Sequence, residues 1–320
     1  MSPATPQYST LPRVGVIFNP RSHRNRQLCD EAAALPGVSV ASPEKRGELA
    51  AVLAGFAEEG VECIAISGGD GTVRDVLTAG MRVFGDRWPL LAVIPAGKTN
   101  ALSHDLGAPK HWTIQEAVAA VRDGKRVVRR PMIVRDVEGG GELAGFVLGA
   151  GLFTVAVNAG QDAHRLGAFD GVAVVATALW GIAQGLFGSD HNHWRRGAPM
   201  RIRVGQEGRE LPRSARGDPR RRGMLLAATL ERFAFGINPY GRLTGLKLAV
   251  MDHPRRRLMA MIPAVAWGWE SEWLEKAGLH RCSTDRILLD LGDRFILDGE
   301  AFPAGSYELT EGPRLSFVVP

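Results

Sequence analysis

The sequence predicts an α/β protein in which a doubly wound parallel sheet precedes a β-rich domain with antiparallel strands. Two observations lead to this prediction: apolar strands alternate with amphipathic helices before residue 131, and the alternation is lost after it. Such alternation is typical of a parallel sheet with helices on both faces. The 320 residues are enough for two domains. We therefore expect a flexible tail over residues 1–12, an α/β domain over 13–131 and a β-rich domain over 132–320, with the C-terminal end a candidate to rejoin the first domain.

The elements of the first domain follow from short-range patterns. Three apolar stretches predict strands: Arg13–Phe18, Val61–Ile66 and Pro89–Ile94. Three further segments have the apolar spacing of one helical face: Glu44–Glu59, Val73–Met81 and Thr113–Asp123. The last of these has Thr113 as its N-cap, Glu116 to complete a capping box and Gly124 to end it.

Short apolar runs separated by glycine and charged residues fill the second half of the chain. They are Met132–Val137, Phe146–Leu148, Met200–Val204, Met224–Leu230, Leu246–Met251, Arg286–Leu291, Phe295–Leu297 and Leu315–Val319. Two helical patterns interrupt them, around Val172–Phe187 and Arg257–Gly278. A helix over Val172–Phe187 would be about 24 Å long, shorter than the ~30 Å hydrocarbon layer. We therefore expect that helix to be buried or docked on the surface rather than embedded in a membrane.

Positive charge is concentrated between Arg195 and Arg222. This window contains ten arginines and three acidic residues, Glu207, Glu210 and Asp218, so its formal charge is +7. The whole chain has a formal charge of +5, so the residues outside the window sum to −2. A solvated basic loop would explain the window, and so would an anionic partner such as phospholipid headgroups or nucleic acid.

The cysteines and the N-terminus favour a reducing compartment. Cys29, Cys63 and Cys282 are too few and too scattered for a disulfide framework or a CxxC metal site. The first residues are polar and lack the apolar core of a secretory signal. We therefore expect a cytoplasmic protein.

The segment Ser67-Gly68-Gly69-Asp70-Gly71-Thr72 lies between a predicted strand and a predicted helix. Its glycines allow a sharp turn and a close approach to a ligand, and the following helix N-terminus favours a phosphate. A carboxylate at Asp70 would repel phosphate unless a divalent cation or a hydroxyl proton lay between them. Asp70 is therefore a candidate metal-linked or proton-accepting residue. The alternative is an ordinary strand-to-helix turn with an N-capping Asp or Thr.

A second segment, Pro95–Asn100, follows the next predicted strand and so falls at the same sheet edge, where open α/β sheets bind ligands. Lys98 could neutralise a phosphate, and Asn100 could hydrogen-bond a phosphate, a ribose or a metal-bound water. A structural turn with a solvated lysine is the alternative. The sequence Gly97-Lys98-Thr99 is not the end of a P-loop, because the first glycine of that motif would have to stand where Ala92 does.

The third segment, Asp298-Gly299-Glu300, sets two carboxylates around a glycine after a short strand. Asp-Gly is also a common two-residue hairpin turn, which is the alternative interpretation.

Together these segments resemble the catalytic domain of the diacylglycerol kinases, a family that includes sphingosine and ceramide kinases. Asn19-Pro20-Arg21-Ser22 resembles the opening N-P-x-S of the family, and Ser67–Thr72 contains its GGDGT. Pro95–Asn100 is similar to its P-x-G-T-x-N, and Asp298–Glu300 to its late D-G-E. NAD kinases share GGDGT, so a soluble-substrate kinase of that type is an alternative.

The resemblance implies a C-terminal β-sandwich-like domain and an active site in the cleft between the domains, with ATP on the GGDGT segment and a lipid hydroxyl as acceptor. The implied base is Asp298, assisted by Glu300, with Asp70 as a third catalytic residue and Asp70 and Glu300 as Mg²⁺ ligands. The implied nucleotide-binding residues are Asn19, Ser22, Gly68, Gly69, Asp70, Gly71, Thr72, Gly97, Lys98, Thr99 and Asn100. The implied partners are a lipid substrate and an anionic membrane surface rather than nucleic acid, with the protein bound peripherally through Arg195–Arg222.

Three positions depart from the family pattern. His23 follows Ser22 where the family has glycine, Lys98 adds a charge, and Phe153 stands where the family has an aspartate that helps to recognise the lipid head. Asn158 or Asp162 could replace that aspartate. These departures also leave open a catalytically silent lipid- or nucleotide-binding regulator.

Three tryptophans near one another, Trp267, Trp269 and Trp273, follow the basic run Arg255–Arg257. Aromatic residues beside cations are typical of a membrane–water interface, and packing in the core is the alternative.

Overall fold

The computed structural model describes residues 11–19, 25–97, 99–157, 184, 187–188, 193–214 and 217–320. The chain divides into two compact units. The first contains the residues up to Gly97, Leu106–Val128 and Leu315–Pro320; the second contains Lys98–Asp105 and Arg129–Arg314.

The described strands and helices are as follows. The strands are β1 Val14–Phe18, β2 Val38–Ala41, β3 Cys63–Gly68, β4 Leu90–Pro95, β5 Lys125–Arg129, β6 Met132–Asp136, β7 Glu142–Gly145, β8 Val147–Gly151, β9 Ala198–Val204, β10 Arg209–Glu210, β11 Arg221–Arg222, β12 Met224–Ala228, β13 Lys247–Met251, β14 Leu279–Ser283, β15 Arg286–Leu291, β16 Phe295–Leu297, β17 Glu300–Phe302, β18 Gly305–Glu311 and β19 Leu315–Val319. The helices are α1 Asn25–Ala33, α2 Leu49–Glu58, α3 Asp70–Phe84, α4 Ala101–Leu106, α5 Ile114–Asp123, α6 His193–Arg196, α7 Arg256–Ala266 and α8 Glu272–Ala277.

The first unit is built on a six-stranded sheet in the order β2-β1-β3-β4-β19-β5. Strand β1 is parallel to β2 and β3, β3 is parallel to β4, and β4 is parallel to β19. Alternate residues of β1 face opposite sides. Val16 packs in one buried cluster with Ile114 of α5, whereas the ring of Phe56 from α2 covers Gly15 on the other face. Helices therefore cover both faces, which confirms the predicted doubly wound sheet.

Helix α5 begins as its sequence predicts. The Thr113 hydroxyl accepts the backbone N–H of Glu116, and the Glu116 carboxylate accepts the backbone N–H of Thr113 at 2.8 Å. The capping box is confirmed, and the helix ends before Gly124.

The second unit contains two antiparallel sheets. One has the order β10-β9-β15-β18-β6-β7, with β11 also paired to β9, and the other has the order β14-β13-β12-β8-β16-β17. Ile202 and Leu289 from the first sheet share one buried cluster with Leu225 and Leu248 from the second. The two sheets thus pack face to face, as in a β-sandwich, and the predicted antiparallel C-terminal domain is confirmed.

Three patterns of the second half need a separate account. The last strand, Leu315–Val319, joins the parallel sheet of the first unit beside β4. The pattern Arg257–Gly278 forms two helices, because Gly268 takes a left-handed φ of 85° and Ser271 then caps a new helix by accepting the N–H of Trp273. The stretch Val172–Phe187 lies outside the described residues, apart from Gln184 and Phe187. Within the described part of the chain, no helix is long and apolar enough to cross a membrane.

Candidate functional site

The GGDGT segment marks the carboxyl end of β3 and the start of α3. The strand runs through Gly68, and the 15-residue helix begins at Asp70, so the turn is confined to Gly69. The Gly69 carbonyl accepts the N–H groups of Thr72 at 2.9 Å and of Val73 at 3.1 Å. Gly69 is the N-cap, and no side chain caps this helix. The N-cap position is therefore occupied by Gly69 rather than by Asp70 or Thr72, and Asp70 stands in the first helical turn.

Two of these glycines are required by close contacts. A Cβ on Gly68 would lie 2.6 Å from the Cβ and Oγ1 atoms of Thr72, and a Cβ on Gly69 would lie 3.1 Å from the Cα of Gly97. The Oγ1 of Thr72 in turn accepts a hydrogen bond from Nδ2 of Asn19 at 3.0 Å. The structure thus brings Asn19, the GGDGT segment and Gly97 together at the carboxyl edge of three neighbouring parallel strands.

Beside Gly71 there is space, and a buried cation lies at its border. The nearest atom to a Cβ on Gly71 would be a terminal nitrogen of Arg74 at 3.9 Å. Arg74 is 1% exposed and donates to Oδ1 of Asp75, whose other oxygen lies 2.8 Å from Nε of Arg46. A buried guanidinium group therefore lies close to the N-terminal, positive end of the α3 dipole. Sequence reasoning missed Arg74, although a charged residue inside an apolar helical stripe was a usable signal.

The segment after β4 turns sharply into α4. Asn100 has a left-handed φ of 50°, and its carbonyl accepts the N–H of His104 at 3.0 Å. Asparagine is one of the few residues that tolerate this conformation. Thr99 is exposed. The implied ligands Ser22 and Lys98 lie outside the described residues, as do Asn158 and Asp162.

Helix α4 is held in the second unit by Asp105, a residue that the sequence did not single out. Its fully buried carboxylate pairs with Nε of Arg129 at 2.6 Å. The same carboxylate accepts the backbone N–H groups of Glu231 at 3.0 Å and Arg232 at 2.7 Å. Because Asp105 is fixed on three donors, the helix that follows Asn100 has one defined position within this unit.

Asp298 and Gly299 form the tight turn between β16 and β17. Leu297 pairs with Glu300, and the two turn residues have φ values of 46° and 82°. Two left-handed residues in a two-residue loop are typical of a type I′ hairpin, so the hairpin interpretation is confirmed for the backbone. That result leaves open the chemistry of the side chains, on which the resemblance depends.

The Asp298 carboxylate has a fixed orientation. It accepts the backbone N–H of Phe146 at 3.0 Å and that of Val147 at 2.9 Å, while the Asp298 N–H donates to the Val147 carbonyl. A Cβ on Gly145 would lie 2.6 Å from Oδ2 of Asp298, so a glycine is needed there. The N–H groups of Phe146 and Val147 therefore fix the orientation of the carboxylate.

Phe153 covers the strand that Asp298 docks on. Its ring packs so closely on Gly149 that a Cβ at that glycine would lie 2.1 Å from it. Gly149 pairs with Ile296, two residues before Asp298. The position at which the related family has an aspartate is thus filled by an apolar ring packed on β8.

Neither a preformed metal cluster nor an activated thiol is found in the described residues. No group of three His, Cys, Asp or Glu side chains could hold a metal there. Mg²⁺ commonly binds through only one or two carboxylates plus phosphates and water, so it does not require such a cluster. Burial raises the pKa of Cys63 to about 12, and burial likewise raises the pKa of Cys29 and Cys282. Cysteine nucleophiles require the opposite shift.

The three tryptophans are not core residues. Trp267 is 67% exposed, Trp269 37% and Trp273 38%. The core alternative is therefore wrong for them, and a solvent-facing aromatic surface remains.

The arginines between Arg195 and Arg222 differ in their burial and in their ion pairs. Arg195 and Arg222 are buried. Arg201 pairs with Glu210 at 3.3 Å and Arg209 with Glu207 at 3.1 Å. Part of the formal charge of +7 in this window is therefore neutralised by carboxylates, and part of it is buried.

Residues 13–130 match the family model of the diacylglycerol kinase catalytic domain. No curated protein matches this sequence. A crystal structure of a diacylglycerol kinase from Bacillus anthracis str. Sterne is similar over 98% of both chains, with a TM-score of 0.61 and 16% identity. Two further structures from that organism, in which the same assignment is provisional, give a TM-score of 0.65 at 16% identity and 98% coverage of both chains. At this identity the structures establish a shared fold.

Proposed function

We propose that the protein is an ATP-dependent lipid kinase, because residues 13–130 match the family model of the diacylglycerol kinase catalytic domain. It transfers the γ-phosphoryl group to a hydroxyl of a diacylglycerol-like or ceramide-like lipid. The observation that carries the proposal is that Asn19, Thr72 and Gly97 come together at the start of α3. We call this carboxyl end of the parallel strands of the first unit the glycine edge.

Phosphoryl transfer requires mainly positioning and charge neutralisation. The close packing at Gly68 and Gly69 keeps side chains away from the backbone, which a phosphate can then approach. The α3 dipole contributes about half a positive charge, and the buried guanidinium group of Arg74 lies beside Gly71. Mg²⁺ held by Asp70 or Glu300 would supply further neutralisation of the phosphate oxygens.

Asp298 is the proposed acceptor of the hydroxyl proton. Its orientation is set by the N–H groups of Phe146 and Val147, so the carboxylate need not reorganise during the reaction. Glu300 follows directly after the turn and is proposed to assist or to bind the metal.

The lipid substrate is proposed to be reached at a membrane surface. The exposed rings of Trp267, Trp269 and Trp273 support this, because tryptophan favours the boundary between headgroups and acyl chains. The basic residues Arg255–Arg257 precede these rings in the chain and suit an anionic surface.

The experiment supplies labelled ATP, Mg²⁺ and one acceptor at a time: vesicles with diacylglycerol, vesicles with ceramide, or NAD. We expect phosphate on a lipid. Phosphate on NAD would replace the proposal with an NAD kinase-type activity. ATP binding without transfer to any acceptor would favour a silent regulator.

The base is tested with Asp298→Asn, because Asn-Gly is a preferred type I′ pair and keeps the turn. General base catalysis contributes about 10²–10⁴-fold, so we expect a fall of at least about 10² in lipid phosphorylation with ATP binding retained. The matched control is Asp293→Asn, an exposed carboxylate in the preceding loop. Near-wild-type turnover of Asp298→Asn would remove Asp298 from the mechanism.

A further inference from the structure

The second unit contains an arginine-lined cavity that the proposed kinase reaction does not use. Its volume is about 650 Å³, within the usual range for small-ligand sites. Its floor includes the ends of β9, β15 and β18, and its wall is formed by Arg213, Pro219, Arg220 and Arg222. Six charged residues line it: Arg201, Arg213, Arg220, Arg222, Glu210 and Asp290.

The wall of this cavity is held in one conformation by buried polar contacts. Arg222 is 1% exposed and donates to the carbonyl groups of Leu211 at 2.7 Å and Pro212 at 3.0 Å. It also pairs with Asp252, which in turn accepts the Ser214 N–H at 2.6 Å. The arginines of the wall are therefore presented on a fixed scaffold, which reduces the ordering cost of binding a ligand.

The lining has more positive charge than its own carboxylates neutralise. Four arginines against two carboxylates leave a formal charge of +2. Arg213 donates to the backbone carbonyl groups of Asp218 and Arg221 rather than to a carboxylate. Burial lowers the pKa of Arg222, the charge of Asp252 raises it, and the nearby charge of Arg213 lowers it. The two guanidinium groups thus repel each other, and a bound anion would relieve that repulsion.

One buried donor of this wall also has no acceptor. The Nε–H of Arg222 is buried without a hydrogen-bond partner in the described part of the chain. An unpaired buried donor of this kind costs about 1–3 kcal/mol.

We propose that this cavity is a binding site for a phosphate monoester, separate from the nucleotide edge of the first unit. A phosphate monoester carries about −1.5 to −2 at neutral pH, which complements the +2 of the lining. Planar guanidinium groups bind such oxygens in pairs. The monoester is either a free phosphate compound or the headgroup of a phosphorylated lipid, and the experiment distinguishes these sources.

The test measures binding of the full-length protein to inorganic phosphate by calorimetry, and to phosphatidylcholine vesicles with or without phosphatidate by flotation. The key variant is Arg220→Glu, whose side chain is 91% exposed, so the fold is preserved. It reduces the formal charge of the lining from +2 to 0. A charge-assisted hydrogen bond is worth at least a factor of about ten in affinity, so we expect at least that loss. Arg213→Gln serves as a second variant with the same expectation.

Arg209→Glu is the matched control. Arg209 is an exposed member of the same basic window, but it pairs with Glu207 and does not line the cavity. It changes the net charge by the same amount and is expected to leave phosphate affinity unchanged. A loss confined to phosphatidate vesicles would identify a lipid headgroup, and a loss confined to inorganic phosphate would identify a soluble ligand.

Two results would overturn the proposal. The first is wild-type protein that binds neither probe. The second is an equal loss of phosphate affinity in Arg209→Glu and Arg220→Glu, which would show that the loss reflects the net charge of the protein rather than a specific site. Because every readout is binding in the absence of ATP, a failure here is distinguishable from a failure of the kinase proposal.

Discussion

Replacement of Asp252 by asparagine removes the charge that holds the arginine-lined wall in place. The Asp252 side chain is completely buried. One of its oxygens pairs with Arg222, and the other accepts the Ser214 N–H and lies 2.8 Å from Nε2 of His280. Asparagine has almost the same shape, so the substitution changes the charge and one acceptor with little change in packing.

The magnitude follows from the pKa of this carboxyl. Burial alone would raise it, but the hydrogen bonds from His280 and Ser214 and the charge of Arg222 lower it from 3.8 to about 2. That difference corresponds to about 2 kcal/mol of the free energy of unfolding at neutral pH. The variant also leaves the Arg222 guanidinium buried without its anion, and breaking a buried pair costs about 3–5 kcal/mol. We therefore expect a loss of about 3 kcal/mol at pH 7.

The pH dependence gives a second, independent readout. Because the folded-state pKa of Asp252 is depressed, its contribution is fully present above pH 3.8 and is lost as the pH falls through about 2. The variant lacks this contribution at every pH. The difference in unfolding free energy between wild type and Asp252→Asn should therefore narrow, mostly between pH 4 and 2.

Urea unfolding measures both effects, provided that circular dichroism and tryptophan fluorescence give coincident transitions. Asp290→Asn is the control: its carboxylate is 40% exposed and lies 3.4 Å from Arg203. A surface pair of this kind contributes at most about 1 kcal/mol. If Asp252→Asn were as stable as Asp290→Asn, or if its deficit did not change with acid, the account of the buried cluster would be refuted.

Two further predictions concern the glycine edge and the aromatic surface. Gly68→Ala forces a Cβ to within 2.6 Å of Thr72, so it should lower stability by about 1–3 kcal/mol in thermal unfolding and weaken ATP binding. Gly71→Ala, whose nearest neighbour atom would be 3.9 Å away, should leave the thermal stability unchanged; an equal loss of stability in both variants would contradict the packing argument. Trp267→Ala should weaken flotation with anionic vesicles, whereas Val137→Ala, also an exposed apolar residue, should not; unchanged flotation of the tryptophan variant would rule out its surface as the membrane contact.

The parts of the fold that the sequence predicted are those encoded by neighbouring residues. The capping box of Thr113 and Glu116 depends on residues three apart, and the first strands are recognisable from a few consecutive apolar positions. The shared edge of Ser67–Thr72 and Gly97 follows from the order of strands alone, since parallel strands carry their following turns to one side.

The parts that the sequence could not predict depend on partners that are distant in the chain. Asp105 is fixed by backbone groups 126 and 127 residues away, and Asp252 by an arginine 30 residues away. Both look like ordinary surface carboxylates in the sequence. Likewise, the apolar pattern of Leu315–Val319 predicts a strand but contains no information on which sheet that strand joins.

Asp298 can be both a hairpin residue and the proposed proton acceptor, because the first role concerns its backbone and the second its carboxylate. Among the described residues, Asn100 and Asp298 are the two non-glycine positions with a left-handed φ. At Asp298 the type I′ turn accounts for that backbone, and asparagine would serve such a turn at least as well. The carboxylate is also not required by the turn itself, which constrains φ and ψ alone. The N–H groups of Phe146 and Val147 orient this carboxylate. A carboxylate at this position is therefore explained better by its chemistry than by the hairpin, which is why Asp298→Asn separates the two.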